Sequence, residues 1–186
     1  MRNTLRAFFK IFILTVFMSQ SGYYIEASET DELAYKPVVM KEFGLKVLVP
    51  AQWSLKKEKN LYEYSYPPDE EGSLSEILTF RPLNKRKSVK EILTEFAESI
   101  ESLPEGTVLA MEQGKLSGEV AYRVLVRYRM ESDAQYIFHE VFFVERSGMN
   151  MRIAYRAPEV TFKKNRPLIK KVTESLVFGV IRGRGR

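Results

Sequence analysis

The chain contains no cysteine among its 186 residues, and only one histidine and one tryptophan. The lack of cysteine excludes disulfide bonds, thiol catalysis, thiolate metal sites and lipid attachment through an N-terminal cysteine. The single imidazole, His139, cannot form a zinc site without cysteine unless several carboxylates join it. No Gly-x-Ser-x-Gly turn accompanies this histidine to build a serine triad. We therefore predict a protein without a cofactor, in which His139 is structural.

Long apolar runs are also scarce, and the main one covers residues 11–18. Three basic residues precede this run and a polar stretch follows it, which is the layout of a secretory signal peptide. The run is far shorter than the ~20 apolar residues of a membrane span, so a retained anchor is the less favoured alternative. We predict that residues 1–27 are removed by cleavage after Ala27, with Ser21 as the alternative site. The mature protein is then exported, periplasmic or secreted, and does not span the membrane.

Neither sign of charge is strongly in excess, because the chain has 29 basic and 24 acidic residues. This near balance argues against nucleic acid as a partner. A hydrophobic content of 45% is ordinary for a globular protein, and the length suits one domain. We predict a flexible lead-in over 28–36, a single domain over 37–179 and a basic disordered tail over 180–186.

One helix has clear signals in the sequence. Ser88 is a good N-cap, and Glu91 three residues later completes a capping box. Apolar residues then recur at helical spacing until Pro104 and Gly106 end the pattern. We therefore predict a helix over 88–103. A second helix is predicted to begin at Pro167, which suits a first turn.

Runs of β-branched and aromatic residues, separated by turn residues, predict strands along most of the remaining chain. The segment 119–130 alternates strictly, with Tyr122 and Val124 on one face and Arg123 and Arg127 on the other. Three long strands follow one another after the first helix and predict an antiparallel meander. The predicted strands are 37–40, 45–49, 61–66, 75–81, 107–116, 119–130, 134–145, 149–155 and 175–178.

Three parts of the chain together resemble the PsbP-like superfamily. They are the segment from Phe43 to Trp53, in which Pro50 lies, the predicted helix 88–103, and the closing segment 175–178. The resemblance covers about residues 35–178. It implies an α+β fold in which an antiparallel β-sheet is flanked by helices in an α-β-α sandwich, with Pro50 and Trp53 as signature residues. It implies no single function, because the branches of the superfamily differ.

Basic residues form the main candidate for a partner-binding site. The densest group has no acidic neighbours within it and lies near the end of the domain, although a solvated helix face remains the default interpretation. This predicted basic patch comprises Lys163, Lys164, Arg166, Lys170 and Lys171.

The sequence also contains two weaker candidates for a site. A second basic set could share one sheet face or edge if the strands align, although a solvated strand face balanced by glutamates across the ladder is favoured. Its members are Arg123, Arg127, Arg129, Arg152 and Arg156. The acidic run 69–71 could hold calcium weakly, but its spacing does not match a calcium-binding loop, so a solvated hairpin tip is favoured.

These features predict a non-catalytic, exported binding or accessory protein of the cell envelope. Its partner would be another envelope protein or a membrane-associated assembly, with peripheral contact to an anionic membrane surface as a further hypothesis. The alternative is a carrier of a small apolar ligand held between the helix 88–103 and the sheet. An enzyme is the third hypothesis, and His139 is the only obvious base it could use.

Overall fold

The computed structural model describes residues 34–66, 75–83, 86–130 and 135–179. Within them lie ten strands, two α-helices and a short 3₁₀ helix, Lys41–Phe43. The strands are β1 (Tyr35–Met40), β2 (Leu45–Pro50), β3 (Ser54–Glu58), β4 (Leu61–Tyr66), β5 (Glu76–Pro82), β6 (Thr107–Leu116), β7 (Glu119–Arg129), β8 (Tyr136–Glu145), β9 (Met151–Pro158) and β10 (Val177–Phe178). The helices are α1 (Val89–Glu101) and α2 (Glu159–Glu174).

Seven of these strands form the main sheet, in the order β3-β4-β5-β9-β8-β7-β6, and every neighbouring pair is antiparallel. A smaller sheet has the order β1-β2-β10. The predicted meander is present and has four strands instead of three, β6, β7, β8 and β9, while the contact between β5 and β9 brings together segments that are far apart in the chain. The prediction of an α+β fold with an antiparallel sheet is therefore confirmed.

One face of the main sheet, the α1 face, is built by alternate residues of β7. The side chains of Tyr122, Val124, Val126 and Tyr128 are buried there in one apolar cluster with the buried residues of α1. Helix α1 contacts β6, β7 and β8. It therefore covers only one side of this face, because a helix with its side chains is about 10–12 Å wide and strands lie about 4.8 Å apart.

The predicted start of α1 is confirmed in atomic detail. The backbone N–H of Glu91 donates to Ser88 Oγ at 3.2 Å, and the Ser88 N–H donates to Glu91 Oε2 at 2.7 Å. These two bonds satisfy donors that the first turn of a helix would otherwise leave unpaired.

The opposite face, the α2 face, carries the other alternate residues. Phe162 of α2 packs on Phe138 of β8 and on Tyr155 of β9, each with ring centroids 5.4 Å apart. The carboxylate of Glu76 accepts from the Tyr155 hydroxyl at 2.8 Å and from the Asn165 side-chain amide at 2.6 Å. These buried bonds join α2 to strands β5 and β9, so the helix has one defined position on the sheet.

The predicted start of the second helix at Pro167 is wrong. Helix α2 begins at Glu159, directly after Pro158, and Pro167 lies inside it. Proline lacks the N–H that would bond to the carbonyl of residue 163, and its ring disfavours a helical interior. Buried contacts on both sides of Pro167, from Phe162 to Val172, hold the two halves of the helix on the sheet.

One strand was not predicted at all. Strand β3 pairs with β4, from Ser54 opposite Ser65 to Glu58 opposite Leu61, and each of its residues is exposed. An edge strand without a buried face shows no apolar alternation, so the sequence offers no periodic signal for it. Strand β1 begins at Tyr35, just before the predicted domain boundary at residue 37.

Several predictions lie outside the described residues. These are the signal peptide over 1–27, most of the lead-in over 28–36, the acidic tip at 69–71 and the basic tail over 180–186.

Candidate functional site

The predicted basic patch lies entirely on α2, and all five of its residues are exposed. The structure nevertheless divides the patch. Lys163, Arg166 and Lys170 line a groove, whereas the Lys171 ammonium lies 4.3 Å above the ring of Tyr35. Lys164 is exposed and does not line this groove. The three groove-lining cations are therefore the part of the patch that can act together on one ligand.

This α2 groove runs between the helix and strands β7 and β8 and has a volume of about 650 Å³. Phe142 and Pro167 supply apolar surface in it. Such a volume lies within the range of about 300–1,000 Å³ that is typical of ligand pockets. The complete lining is Arg123, Glu140, Phe142, Lys163, Arg166, Pro167, Lys170 and Thr173.

The charges of the groove do not cancel. Glu140 is only 7% exposed and is already paired with Arg123, whose Nε lies 2.5 Å from its Oε1. Lys163 and Lys170 have exposed partners one helical turn away, and such surface pairs contribute little. Arg166 makes no ion pair with any described residue. The groove therefore presents a net positive charge to an incoming ligand.

The second basic set does not share one face of the sheet, so that hypothesis is wrong. Arg123, Arg127 and Arg129 are in register with the even-numbered residues of β8, on the α2 face. Arg156 is in register with His139, on the α1 face, and Arg152, four residues earlier on β9, lies on that same face. The antiparallel register of β7, β8 and β9 thus sends the two groups to opposite sides.

His139 is buried, with 9% of its surface exposed, as a structural role predicts. Its ring makes edge contacts with Phe96 at 5.8 Å and with Tyr128 at 6.4 Å between centroids. Burial, followed by the charges of Arg152 and Arg156, lowers the pKa of His139 to about 3. A general base works best with a pKa near the operating pH, so this imidazole is poorly suited to that task.

The signature residues Pro50 and Trp53 are part of the core. Trp53 is 2% exposed and stacks on Tyr155, with 6.3 Å between ring centroids. The Trp53 N–H donates to the Pro50 carbonyl at 3.2 Å, and its own carbonyl accepts from Lys36 Nζ at 3.2 Å. These contacts close the end of β2 over the α2 face and have no chemical role of their own.

The described ranges contain neither a metal-binding cluster nor a helix that could cross a membrane. No three histidine, aspartate or glutamate side chains among the described residues come together as a metal site would require. In the same part of the chain, neither helix has the length and apolar character needed to cross a membrane.

The architecture of an antiparallel sheet with packed helices and a cationic groove can be compared with known proteins. No family model matches the chain, and no curated protein matches it either. Solved structures do match. A protein of unknown function from Pseudomonas aeruginosa, PA94, has a TM-score of 0.54 at 11% identity, over 77% of this chain and 96% of that one.

Two further structures define the fold more closely. LpqN of Mycobacterium tuberculosis, which is involved in cell envelope biogenesis, has a TM-score of 0.57 at 13% identity, over 79% of this chain and 91% of its own. The cyanobacterial PsbP of Synechocystis has a TM-score of 0.55 at 12% identity, over 78% and 93%. The chain therefore has a PsbP-like fold, and the predicted resemblance is confirmed at the level of the fold.

Sequence reasoning missed two features of these surfaces. Phe142 and Glu140 join the α2 groove because β8 lies beneath α2, and nothing in the local sequence predicts that contact. Arg81 was not considered as a site residue, yet it is directly opposite Arg152 in the pairing of β5 with β9. The alternation in each strand could have shown which side chains share a face of the sheet, but only if the order of the strands had been known.

Proposed function

We propose that this chain is a non-catalytic, exported accessory protein of the cell envelope that binds an acidic segment of a partner protein in the α2 groove. The observation that carries the proposal is the gathering of Lys163, Arg166 and Lys170 around one concave surface that contains Phe142. Charge complementarity of this kind selects acidic partners and accelerates their association.

The envelope setting is supported by two independent features. The N-terminal residues have the layout of a signal peptide, and one protein of similar fold, LpqN, is involved in cell envelope biogenesis. We also propose that the helices on opposite faces make the finer architecture an α-β-α sandwich, since α1 packs on β6–β8 and α2 packs on β8 and β9.

A protein segment suits the α2 groove better than a membrane surface does. The cations lie around a concavity that contains aromatic and proline side chains, which can receive an apolar residue beside an acidic one. A membrane would meet the outermost charges first and would not fill the space over Phe142. Contact with anionic lipid is therefore an outcome that the experiment must separate from protein binding.

The apolar-carrier alternative is less well supported by the packing. Val89, Leu93 and Ile100 of α1 are buried against the side chains of β7, including Val124 and Val126. These contacts occupy the space in which a ligand between the helix 88–103 and the sheet would have to lie.

The proposal is tested by crosslinking in intact cells. A photoreactive amino acid is placed at Lys163 in the α2 groove and, as a matched control, at Lys115 on strand β6, which is also an exposed lysine. We expect a specific protein adduct in the envelope fraction from position 163 only. The double variant Arg166→Glu with Lys170→Glu should lose this adduct, because it reverses two of the three patch cations that line the groove.

Sedimentation with vesicles of anionic and neutral lipid provides the second measurement. Strong vesicle binding that the double variant abolishes, in the absence of a protein adduct, would replace the protein partner with a membrane. An adduct that persists in the double variant, or that forms equally at position 115, would contradict the assignment of the α2 groove.

A further inference from the structure

A second cationic surface lies on the α1 face, beside the helix and away from the α2 groove. Arg81 of β5 is directly opposite Arg152 of β9, and Arg156 of β9 is directly opposite His139 of β8. With Glu63 of β4, these residues line a cavity of about 220 Å³, which we call the arginine pocket. Its remaining lining is Leu61, Ile77, Thr79 and Ala154.

The central guanidinium, that of Arg152, is held in place by its neighbours. The Arg152 Nη2 atom lies 3.4 Å from His139 Nε2, and the Arg152 Cζ atom lies 5.1 Å from the centre of the Phe96 ring. Since arginine can only donate, the imidazole accepts at Nε2 and carries its proton on Nδ1. The side chain reaches His139 across the position of Ala154, where a methyl group leaves room for it.

Positive charge exceeds negative charge in the described lining of the arginine pocket. None of Arg81, Arg152 and Arg156 makes an ion pair with a described residue, and Glu63 is the one acidic residue of the lining. The Nε–H of Arg152 is buried and has no hydrogen-bond acceptor in the described part of the chain. Like charges opposite one another on a sheet destabilise it, so the fold carries this arrangement at a cost.

Burial adds to that cost. It lowers the pKa of Arg152 to about 10, and the nearby charge of Arg81 acts in the same direction. An anion in the cavity would reverse both effects, because it would accept from the free donors and offset the repulsion between the guanidinium groups.

We propose that the arginine pocket binds a small oxyanion of the phosphate class, either inorganic phosphate or the phosphate monoester of a larger molecule. Planar guanidinium groups match the oxygens of such an anion in pairs, and three of them together favour a dianion over a single carboxylate. A volume of about 220 Å³ accommodates a phosphate group with several waters, since a water occupies about 30 Å³. This site lies on the opposite face from the α2 groove and does not depend on the proposed function.

The test is calorimetric titration of the purified protein in phosphate-free buffer with inorganic phosphate and with methyl phosphate. A parallel arm measures binding to phosphatidylcholine vesicles with and without phosphatidic acid, whose headgroup is a phosphate monoester. Saturable binding of the soluble anions without vesicle binding identifies a soluble ligand. Recruitment to phosphatidic acid vesicles, together with binding of methyl phosphate, identifies a lipid headgroup as the source.

Variants assign the binding to the arginine pocket. Arg152→Met keeps the apolar stem and should weaken binding at least tenfold, because charge-assisted hydrogen bonds are lost. Arg156→Gln changes an exposed side chain, is expected to fold normally and should weaken binding about tenfold. Lys115→Gln, an exposed charge on distant β6, should leave the affinity unchanged.

The proposal fails if no saturable binding is seen up to about 10 mM phosphate, a concentration at which even weak specific sites fill. It also fails if the two arginine variants bind as tightly as the unchanged protein, or if Lys115→Gln weakens binding as much as they do. None of these results would affect the proposal for the α2 groove, because Arg152, Arg156 and Lys115 do not line that groove.

Discussion

The buried imidazole of His139 makes the stability of this protein depend on pH in a window where little else titrates. The side chain is neutral in the folded state, where it packs beside Phe96 and Tyr128 and accepts from Arg152. The charged groups around it are Arg81, Arg152 and Arg156, with Glu63 in the same pocket. Protonation would add a positive charge to a region that already has three.

The direction of the effect follows from the two pKa values. Burial, followed by the nearby arginines, lowers the folded-state pKa of His139 to about 3, while an unfolded chain has a value of about 6.5. Between these values the unfolded state binds more protons, so stability falls as the pH falls below about 6.5. With 1.36 kcal/mol for each pH unit, we expect a loss of about 2 kcal/mol between pH 7 and pH 5.

Urea denaturation at a series of pH values between 7 and 5 measures this loss. The single tryptophan, Trp53, is buried in the folded state and provides an intrinsic fluorescence signal for unfolding. The comparison is with His139→Gln, whose side-chain oxygen can still accept from Arg152 but does not titrate.

Glu42, whose pKa is also shifted, does not interfere in this pH range. The Lys57 side chain lowers the pKa of Glu42 to about 2, so the stability that Glu42 contributes is lost only below about pH 4.5.

The expected result is a free energy of unfolding that decreases toward pH 5 in the unchanged protein and is nearly constant in His139→Gln. The same decrease in both proteins would show that other groups cause it. A flat profile in the unchanged protein would show that His139 has the same pKa in the folded protein as in the unfolded chain, which would contradict the packing described for it.

Two further predictions concern the stability of particular contacts, and both are measured by urea denaturation. Ser88→Ala removes the capping box of α1 and should lower the free energy of unfolding by about 1 kcal/mol, whereas Ser88→Asn should retain most of it. Arg146→Met should cost about 3 kcal/mol, because the nearly buried guanidinium donates to the carbonyls of Phe43 and Gly179, at 2.8 and 2.7 Å. Lys115→Met, at an exposed position, is the control, and an equal loss there would contradict this account.

Elements whose signals are local could be predicted from the sequence. Helix α1 combines an N-cap, a capping box and an apolar stripe within sixteen residues, 88–103, and all three are seen. Strand β7 was predicted from strict alternation, and one of its faces is buried while the other is half-buried, as that alternation requires. Strand β3 has no buried face, and the first half of α2 was hidden by Pro167, whose usual place is a first turn.

The candidate sites were only partly predictable for the same reason. The basic residues of α2 are neighbours in the chain, so their density was visible without a structure. The α2 groove also needs Arg123 and Phe142, and these reach it only because β7 and β8 lie side by side beneath the helix. The arginine pocket depends on the pairing of β5 with β9, which the intervening helix and meander make impossible to infer from local sequence.

The width of the sheet explains why two cationic surfaces exist on this fold. Among the described residues, helix α1 packs mainly on β6, β7 and β8 and reaches β9 through the contact of Phe96 with Arg152, so β4 and β5 lie beside the helix on this face. Their residues must tolerate water, and the half-exposed Thr79 and the exposed Arg81 on β5 meet that condition. On the opposite face α2 covers β8 and β9, and the helix itself supplies the exposed charge. The groove cations lie on α2 and on the α2 face of β7, whereas those of the arginine pocket lie on the α1 face of β5 and β9. The sheet itself therefore separates the two sets and limits the repulsion between them.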